Sequence, residues 1–450
     1  MQEQSVRLGT DDIKKLLISL STPAMVGMLV TGIYNIVDAI FIGKGVGTLG
    51  LAGVSVAFPM QMILMALAGA VGIGGGSIIS RRLGASRLKE ANQVLGNVII
   101  LVIIIGVINA VCGILFINPI LRLFGATAAI LPYARDFLSI ILLGSVFYGL
   151  AMSFNNIARA EGNARMAMWT MIFSAVINTA LAPLFIFGFR WGLKGAALAT
   201  IIAQACAASY MVAYFIRGNS TLRISWDYMR LNPSIIKEII YVGSSAFGRQ
   251  AADSIMFIVV NNVLAFYGGD LSIAVFGVIN RVLMITIMPI LGIVQGMQPI
   301  VGYNYGADDW ERVKSVLLLA VKYASILAVM AFILVMIFPE CIIRIFSSDT
   351  LLINQGSAAL RAIFAAVFLI GVQMVLAGFY QALGKAKQAL ILGMARQILF
   401  LIPLVLALSH IWGVKGVWAA FPSADICAFI FTLLIFYNDA GKKWVYERAE

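Results

Sequence analysis

Residues 84–95 read GASRLKEANQVL and residues 306–317 read GADDWERVKSVL, and this pair of stretches, 222 positions apart (306 minus 84), determines the architecture. Similarity that recurs at a fixed spacing is typical of a duplicated unit. The chain is therefore predicted to consist of two related halves. Further matches occur in the same order, with at most one residue of slip: Phe116, Ile120, Arg122 and Phe124 with Phe338, Ile342, Arg344 and Phe346, EGNAR at 161–165 with LGKAK at 383–387, and WGLKG at 191–195 with WGVKG at 412–416.

Both halves have a composition that suits lipid. The 450 residues are 61% hydrophobic and 12% charged, with a mean hydropathy of +0.97, which leaves too little polar surface to cover a soluble globule. Apolar stretches as long as the about 20 residues of a spanning helix occur throughout, and we predict an all-α polytopic membrane protein with 12 transmembrane helices. The predicted spans are 14–42, 48–80, 93–117, 133–158, 166–188, 193–216, 235–263, 271–303, 315–338, 355–381, 388–408 and 414–437.

Six spans per half is an even number, so both halves enter the membrane from the same side and form a parallel repeat about the membrane normal. We predict an N-terminal six-helix lobe over 1–216, a polar interlobe linker over 217–234 and a C-terminal six-helix lobe over 235–450. Two bundles around a central cleft suit transport by alternating access. Duplication also produces membrane enzymes and channels, so this pattern favours a transporter without excluding them.

The charge of the chain is a topology signal. The formal net charge is +12, but Lys and Arg flank apolar spans and form no patch interleaved with aromatic residues, which argues against nucleic acid as a partner. The tails and even-numbered loops hold about 21 Lys and Arg against about 8 on the other side, which places both termini in the cytoplasm. The four cysteines show no CxxC spacing, so no metal site is indicated.

One polar stripe stands out in the first span. Thr31, Tyr34, Asn35 and Asp38 recur at i, i+3, i+4 and i+7, which places them on one helix face. Asp38 has no basic residue in its span to neutralise it, and an ionisable group in lipid needs a partner, water or a purpose. A carboxylate of this kind suits the binding and release of a proton or a sodium ion. The alternative is a carboxyl that only forms hydrogen bonds between helices.

Other polar side chains supply further candidates. In the second half, Arg249 and Asp253 have the i, i+4 spacing of an intrahelical ion pair, and Arg281, Arg396 and Asp425 are equally open as partners of Asp253 or as cleft residues. The candidates for cation coupling are Asp38, Tyr34, Asn35, Asn178, Thr200 and Asn156. The candidates for the substrate cleft are Gln61, Gln204, Asp253, Gln250, Arg249, Arg281 and Gln373.

At these residues the chain resembles the multidrug and toxic compound extrusion (MATE) family over essentially its full length, and it looks closest to the branch that includes the DinF and MepA proteins. The resemblance implies a V-shaped antiporter of twelve helices in two lobes, which exports drugs or metabolites in exchange for protons or sodium ions and needs no other cofactor. The matching stretches are YNIVDAIFIG at 34–43, SRRLGA at 80–85, RAEGNARMAM at 159–168, NTALAPLFIFG at 178–188 and WGLKGAALAT at 191–200.

The resemblance also implies roles for single residues. Asp38 matches the central coupling aspartate of that branch, and Asn178 and Thr200 match residues that assist it. Ala182 departs from the pattern, because archaeal relatives carry a second aspartate there, and this favours protons over sodium. Asp253 matches a coupling acid of the NorM branch. The tenth-helix acid of that branch is absent, with Gln373 nearby.

The expected function is therefore a proton-coupled antiporter of the inner cell membrane that exports small amphipathic, often cationic, compounds, acts as a monomer and is not an enzyme. One alternative is a sodium-coupled exporter of the same family. Another is a lipid-linked oligosaccharide flippase of the same superfamily, which requires a basic cavity that Arg249, Arg281 and Arg396 would supply. A membrane enzyme is disfavoured, because neither Asp308-Asp309 nor His410 lies in a DDxxD or HExxH pattern.

Overall fold

The computed structural model describes residues 3–217, 220–346 and 349–441, and within these ranges the chain forms helices and no strand. Two positions of the predicted linker and the last nine residues of the predicted C-terminal lobe lie outside the described residues. The helices are α1 (Glu3–Thr10), α2 (Ile13–Val46), α3 (Thr48–Gly84), α4 (Leu88–Leu115), α5 (Ile117–Leu123), α6 (Leu131–Leu143), α7 (Ser145–Ala160), α8 (Ala164–Pro183), α9 (Gly192–Ile216), α10 (Pro233–Gly306), α11 (Trp310–Ile337), α12 (Pro339–Arg344), α13 (Thr350–Phe364), α14 (Ile370–Ala382), α15 (Ala386–Met394), α16 (Ile402–Trp412) and α17 (Val414–Phe436).

The spans agree in number with the sequence. In the described part of the chain, ten helical segments are long and apolar enough to cross a membrane, and the bent pair α6 and α7 adds an eleventh. Helix α10 has 74 residues, which is about 110 Å as one straight helix against a hydrocarbon core of about 30 Å. Its backbone leaves the helical conformation at Gly269, with φ 61° and ψ −163°. Helix α10 therefore crosses twice, which gives twelve spans.

The duplication is visible in the helix bounds. Helix α4 covers 88–115 and α11 covers 310–337, so both ends are shifted by 222 positions. Gly47, between α2 and α3, and Gly269, inside α10, are related by the same shift, and both have positive φ, 83° and 61°. The break inside α10 is thus the counterpart of the turn between the first two spans. The exact limits of the two predicted lobes stay a prediction.

The structure adds three short helices that hydropathy does not indicate. Helices α5 and α12 follow the third span of each half, and α12 begins 222 positions after α5. Helix α1 forms in the polar N-terminal tail, where Leu8 is completely buried. The predicted fourth span is bent by 55° between α6 and α7, at Gly144. These features depend on packing between helices, which a count of apolar residues does not contain.

The predicted linker is attached to the first half. The Asn97 amide donates to the Arg230 carbonyl at 3.1 Å and accepts from the Asn232 N–H at 2.8 Å. The Asn92 side chain accepts from the Arg223 N–H at 2.9 Å. These bonds hold residues 223–232 against α4.

The two halves are in contact at the end of the bundle where α3 and α10 end. A Cβ atom on Gly84 would lie 2.7 Å from the Tyr303 carbonyl carbon, and one on Gly306 would lie 2.8 Å from the Arg81 carbonyl carbon. Residues 81 and 303, like 84 and 306, are separated by 222 positions, so this contact is reciprocal. Arg81 also pairs with Glu238 of α10 at 3.1 Å. We call this contact zone the seam.

Away from the seam the halves separate. The last polar contacts between them are Gln250 Nε2 to Met62 Sδ at 3.5 Å and Gln295 Nε2 to Met28 Sδ at 3.8 Å. Beyond Met28 and Met62, among the described residues, no hydrogen bond joins the outer parts of α2 and α3 to α10. The polar contacts of α2 and α3 with α10 are therefore concentrated towards the seam.

Candidate functional site

Asp38 lies on α2, half-buried, and among the described residues its Oδ1 is a buried atom without a hydrogen-bond partner. Buried polar atoms in native proteins are nearly always hydrogen-bonded, so each orphan calls for an explanation. No described Lys or Arg forms an ion pair with this carboxylate. The site can therefore accept a proton or a cation.

Helix α8 runs beside α2 at this depth. A Cβ on Gly27 would lie 2.7 Å from Met171 Sδ, and one on Gly45 would lie 3.1 Å from Phe187 Cε1. The offsets, 144 (171 minus 27) and 142 (187 minus 45), show that the two helices run parallel, so Asp38 is level with residue 181 of α8, give or take a turn. Asn178 and Ala182 therefore lie at its depth.

The two helper residues predicted from the family meet in the structure. The buried Asn178 amide donates to Thr200 Oγ1 at 3.1 Å, which connects α8 to α9. Thr200 in turn donates to the Ala196 carbonyl at 3.1 Å. Ala182 is completely buried, so the methyl group occupies the place where a second carboxylate would project. Asp38 is thus the one carboxylate at this level among the described residues of α2, α8 and α9.

The other members of the predicted coupling group are placed differently. Tyr34, one turn before Asp38, is half-buried, and Asn35 is exposed. Asn156 lies four residues, about 6 Å, from the end of α7 that faces the seam, while Asp38 lies eight residues, about 12 Å, from the opposite face. Asn156 accepts a hydrogen bond from Arg159 at 2.9 Å. It therefore belongs to the seam, away from Asp38.

In the second half, Asp253 is bound mainly by an amide. Gln397 Nε2 donates to its Oδ1 at 2.6 Å, whereas the Arg249 guanidinium approaches its Oδ2 only to 3.9 Å. The two side chains of this pair are 39% and 31% exposed, so the intrahelical pair is long and only partly buried. Asp253 is therefore held more closely by Gln397 than by Arg249.

The structure also decides between the open partners of Asp253. Arg396 donates from Nε to Asp425 Oδ1, and Gln373 Nε2 donates to the Asp425 carbonyl at 2.8 Å. Asp425 is completely buried, and its Oδ2 has no partner among the described residues. Arg396 is thus neutralised by a carboxylate and does not make the cleft basic.

The remaining cleft candidates make few contacts. Gln61 and Gln204 are half-buried, and no hydrogen bond to either is found in the part of the chain that the structure describes. Gln250 contacts Met62 across the gap between the halves. Arg281 is exposed and forms no ion pair with a described residue. These side chains are free to contact a ligand.

Sequence reasoning missed Glu161, which is completely buried between α7 and α8. Its carboxyl group accepts hydrogen bonds from Tyr214 Oη, from Ser220 Oγ at 2.5 Å and from the Thr221 N–H at 3.1 Å. Burial raises the pKa of this carboxyl to about 7, although these hydrogen bonds act in the opposite direction. The EGNAR motif at 161–165 was a signal for this residue, but its partners lie more than 50 positions away.

The comparisons with known proteins agree with the fold described above. The MatE family model matches residues 23–184 and 246–406. The multidrug export protein MepA of Staphylococcus haemolyticus is 29% identical over 435 residues, which are 96% of each chain. The resemblance stated from the motifs is thereby confirmed.

Solved structures match over nearly the whole chain. The MATE multidrug transporter DinF-BH, whose structure was determined as a ligand complex, is 50% identical, covers 97% of this chain and 98% of its own, and superposes with a TM-score of 0.90. An outward-facing multidrug resistance MATE family transporter of the MOP superfamily is 28% identical, covers 96% of both chains and has a TM-score of 0.90. These matches confirm the all-α polytopic membrane fold.

Proposed function

The chain belongs to the MatE family, and we propose that this multi-pass membrane transporter exports small amphipathic, often cationic, compounds in exchange for protons. MATE proteins are secondary transporters, so the chain is not an enzyme. The multidrug export activity named for the MepA and DinF-BH relatives supports the substrate class. Export of this kind needs one group that couples an ion to the movement of the substrate.

The observation that carries the proposal is the unpartnered buried oxygen of Asp38. An ionised carboxylate in this place lacks both a hydrogen-bond donor and a positive charge, which makes it costly in an apolar bundle. A bound proton removes that cost. A substrate cation can do the same, so proton and substrate compete for one charge, which is the requirement for exchange.

Protons are favoured over sodium because only one carboxylate is available. A sodium ion must lose its hydration shell, and in the absence of a second acid at Ala182 the remaining ligands, Asn178 and Thr200, are neutral. The membrane potential supplies enough energy for export. One proton that moves inward releases about 2.3 kcal/mol per 100 mV, and a tenfold concentration gradient of the substrate costs about 1.4 kcal/mol. One proton therefore supports roughly fortyfold accumulation of a neutral compound at that potential.

The described conformation fits the outward-open stage of this cycle. The Lys and Arg bias predicts that the even-numbered loops are cytoplasmic, and the seam lies on their side. In the proposed cycle, the seam seals the cleft of this state towards the cytoplasm, and the substrate leaves on the outer side. In the proposed cycle, protonation of Asp38 in this state releases the substrate, and opening of the seam returns the proton to the cytoplasm.

The alternative of a lipid-linked oligosaccharide flippase has less support. It needs a basic cleft, and two of its three arginines have acidic neighbours, Arg396 with Asp425 and Arg249 with Asp253. Of these three arginines, Arg281 alone forms no ion pair with a described residue. The Asp253 carboxylate, which Arg249 approaches only to 3.9 Å, instead suits a cationic compound.

The test is Asp38→Asn, which removes the titrating charge with little change in volume. We expect proton-driven dye efflux from everted vesicles to be lost while the variant still folds and inserts. Asp136→Asn is the matched control, because Asp136 is an accessible carboxylate of the same half, paired with Lys194 at 3.4 Å, and it should leave efflux unchanged. Full proton-driven efflux by Asp38→Asn, or efflux driven by a sodium gradient at equal pH in the native protein, would overturn the proposal.

A further inference from the structure

A polar cavity lies inside the seam, between α3 and α7 of the first half and α10 and α14 of the second. The space open to the centre of a water molecule is about 40 Å³, and 10–15 Å³ suffices for about one water. The cavity is therefore as large as a few waters or one small ion, and too small for a drug. The polar groups in its wall that matter below are Ser77, Asn156, Arg159, Gln295, Gln298 and Gln381.

The cavity lies on the axis that relates the two halves. Arg159 and Gln381 both line it and are separated by 222 positions, and the same is true of Ser77 and Pro299 and of Ala160 and Ala382. A movement that separates the halves at the seam must therefore open this cavity. The two halves differ here in charge, because the first supplies an arginine where the second supplies a glutamine.

Arg159 gives the cavity an uncompensated positive charge. Its guanidinium donates to the amide oxygens of Asn155 and Asn156, on its own helix. Among the described residues it forms no ion pair, and none of those that line the cavity is Asp or Glu. The neighbouring acids are in use elsewhere: Glu161 binds Tyr214 and Ser220, and Glu238 pairs with Arg81. A guanidinium has five N–H donors, so several remain for a ligand.

The glutamines of the second half complete the site. Gln298 Nε2 donates to Gln381 Oε1 at 2.7 Å, and Gln381 Nε2 donates to Ser245 Oγ at 2.9 Å, so these two amides are fixed. Gln295 is not, because its Oε1 is buried without a partner among the described residues and its Nε2 reaches only Met28 Sδ at 3.8 Å. Rotation of this amide breaks only the long contact with Met28 Sδ and turns its NH₂ group into the cavity. Arg159 and Gln295 then donate to one point from opposite halves.

We propose that this cavity binds one small monovalent anion, which joins Arg159 of the first half to Gln295 of the second and stabilises the closed seam. The chemistry required is a negatively charged acceptor of a few atoms. A free inorganic anion such as chloride meets it, and so does the carboxylate of a small organic acid. When the seam opens, the anion loses its second set of donors and is released to the side on which the seam opens.

The test uses the purified full-length protein and measures its melting temperature at constant ionic strength. Chloride or acetate replaces gluconate, whose size exceeds that of the cavity. Occupancy at ten times the dissociation constant should raise the melting temperature by about 1–3 °C. Arg159→Gln should abolish the shift and Gln295→Leu should weaken it. Arg87→Gln, which removes an accessible charge away from the cavity, should respond like the native protein.

Each outcome decides the proposal. If chloride raises the melting temperature of the native protein but not that of Arg159→Gln, the ligand of the cavity is a free inorganic anion. If only acetate raises it, the ligand is a carboxylate. Equal melting in all three salts, or equal shifts in Arg159→Gln and Arg87→Gln, would overturn it. If Arg159→Gln does not fold, Gln295→Leu gives the same comparison without loss of charge. Because the readout is binding, a failure here is distinguishable from a failure of proton exchange at Asp38.

Discussion

The seam offers the sharpest mechanical test of alternating access, because Gly84 and Gly306 let the backbones of the two halves touch. In Gly84→Ala the new Cβ would lie 2.7 Å from the Tyr303 carbonyl carbon, whereas ordinary contacts begin at 3.4 Å. The contact with the carbonyl carbon alone would require the backbone of α10 to move by 0.7 Å (3.4 minus 2.7), the Tyr303 carbonyl oxygen lies closer still and requires more, and no side-chain rotation relieves either contact. Overpacking of this kind costs about 1–3 kcal/mol, which corresponds to a shift of about 5–150-fold away from the closed seam.

The assay is maleimide labelling of Ser80→Cys in a background without native cysteines. Ser80 is 1% exposed and lies in the seam, so labelling reports seam opening. Gly84→Ala should raise the labelling rate about 5–150-fold. Gly277→Ala, with no atom within 4 Å of the new Cβ, should have no effect. Gly106→Ala is the second control, because its Cβ would lie 2.9 Å from Val146 Cα within one half. Equal acceleration by Gly106→Ala, or none by Gly84→Ala in a folded protein, would refute the argument.

Three further predictions concern single carboxylates. Burial raises the pKa of Glu161 to about 7 from an ordinary value of 4.5, so the native protein should lose about 3 kcal/mol of stability between pH 4.5 and 7. The melting temperature of Glu161→Gln should stay nearly constant over this range. If the melting temperatures of the native protein and of Glu161→Gln change with pH in the same way, the buried acid is not the cause. Asp253→Asn should lower efflux of cationic dyes more than of neutral ones, and an equal effect on both would favour neutralisation by Arg249. Ala182→Asp should introduce sodium-driven efflux that Ala182→Asn lacks, and a sodium response in the native protein would contradict this.

What the sequence predicted correctly was encoded locally. Twelve spans follow from hydropathy because lipid requires about 20 apolar residues in a row, and the duplication follows from a fixed offset. Asp38 was singled out because no basic residue in its span can neutralise it, and its coupling role stays a prediction. The assisting roles of Asn178 and Thr200 came instead from the family resemblance, and the hydrogen bond between these two residues of neighbouring helices is a finding of the structure.

The features that sequence reasoning left open depend on which helices meet. Arg396 and Asp425 are 29 positions apart (425 minus 396), and only the packing of the last two spans selects this pair over Asp253. Glu161 binds residues beyond position 213, and Asn156 faces the seam because α7 runs in the opposite direction to α2. Helix direction was predictable, but the depth and rotation of each helix were not.

The two halves carry their intramembrane acids at different positions of the repeat. The position equivalent to Asp38 in the second half is Val260 (38 plus 222), and the position equivalent to Asp253 in the first half is Thr31 (253 minus 222). Asp38 thus has no acidic counterpart in the second half, whereas Asp253 and Asp425 are bound by Gln397 and Arg396. A proton that binds at Asp38 changes the net charge of only one half. That change can act on the relative position of the two halves through the substrate and the seam contacts, without a second titrating site.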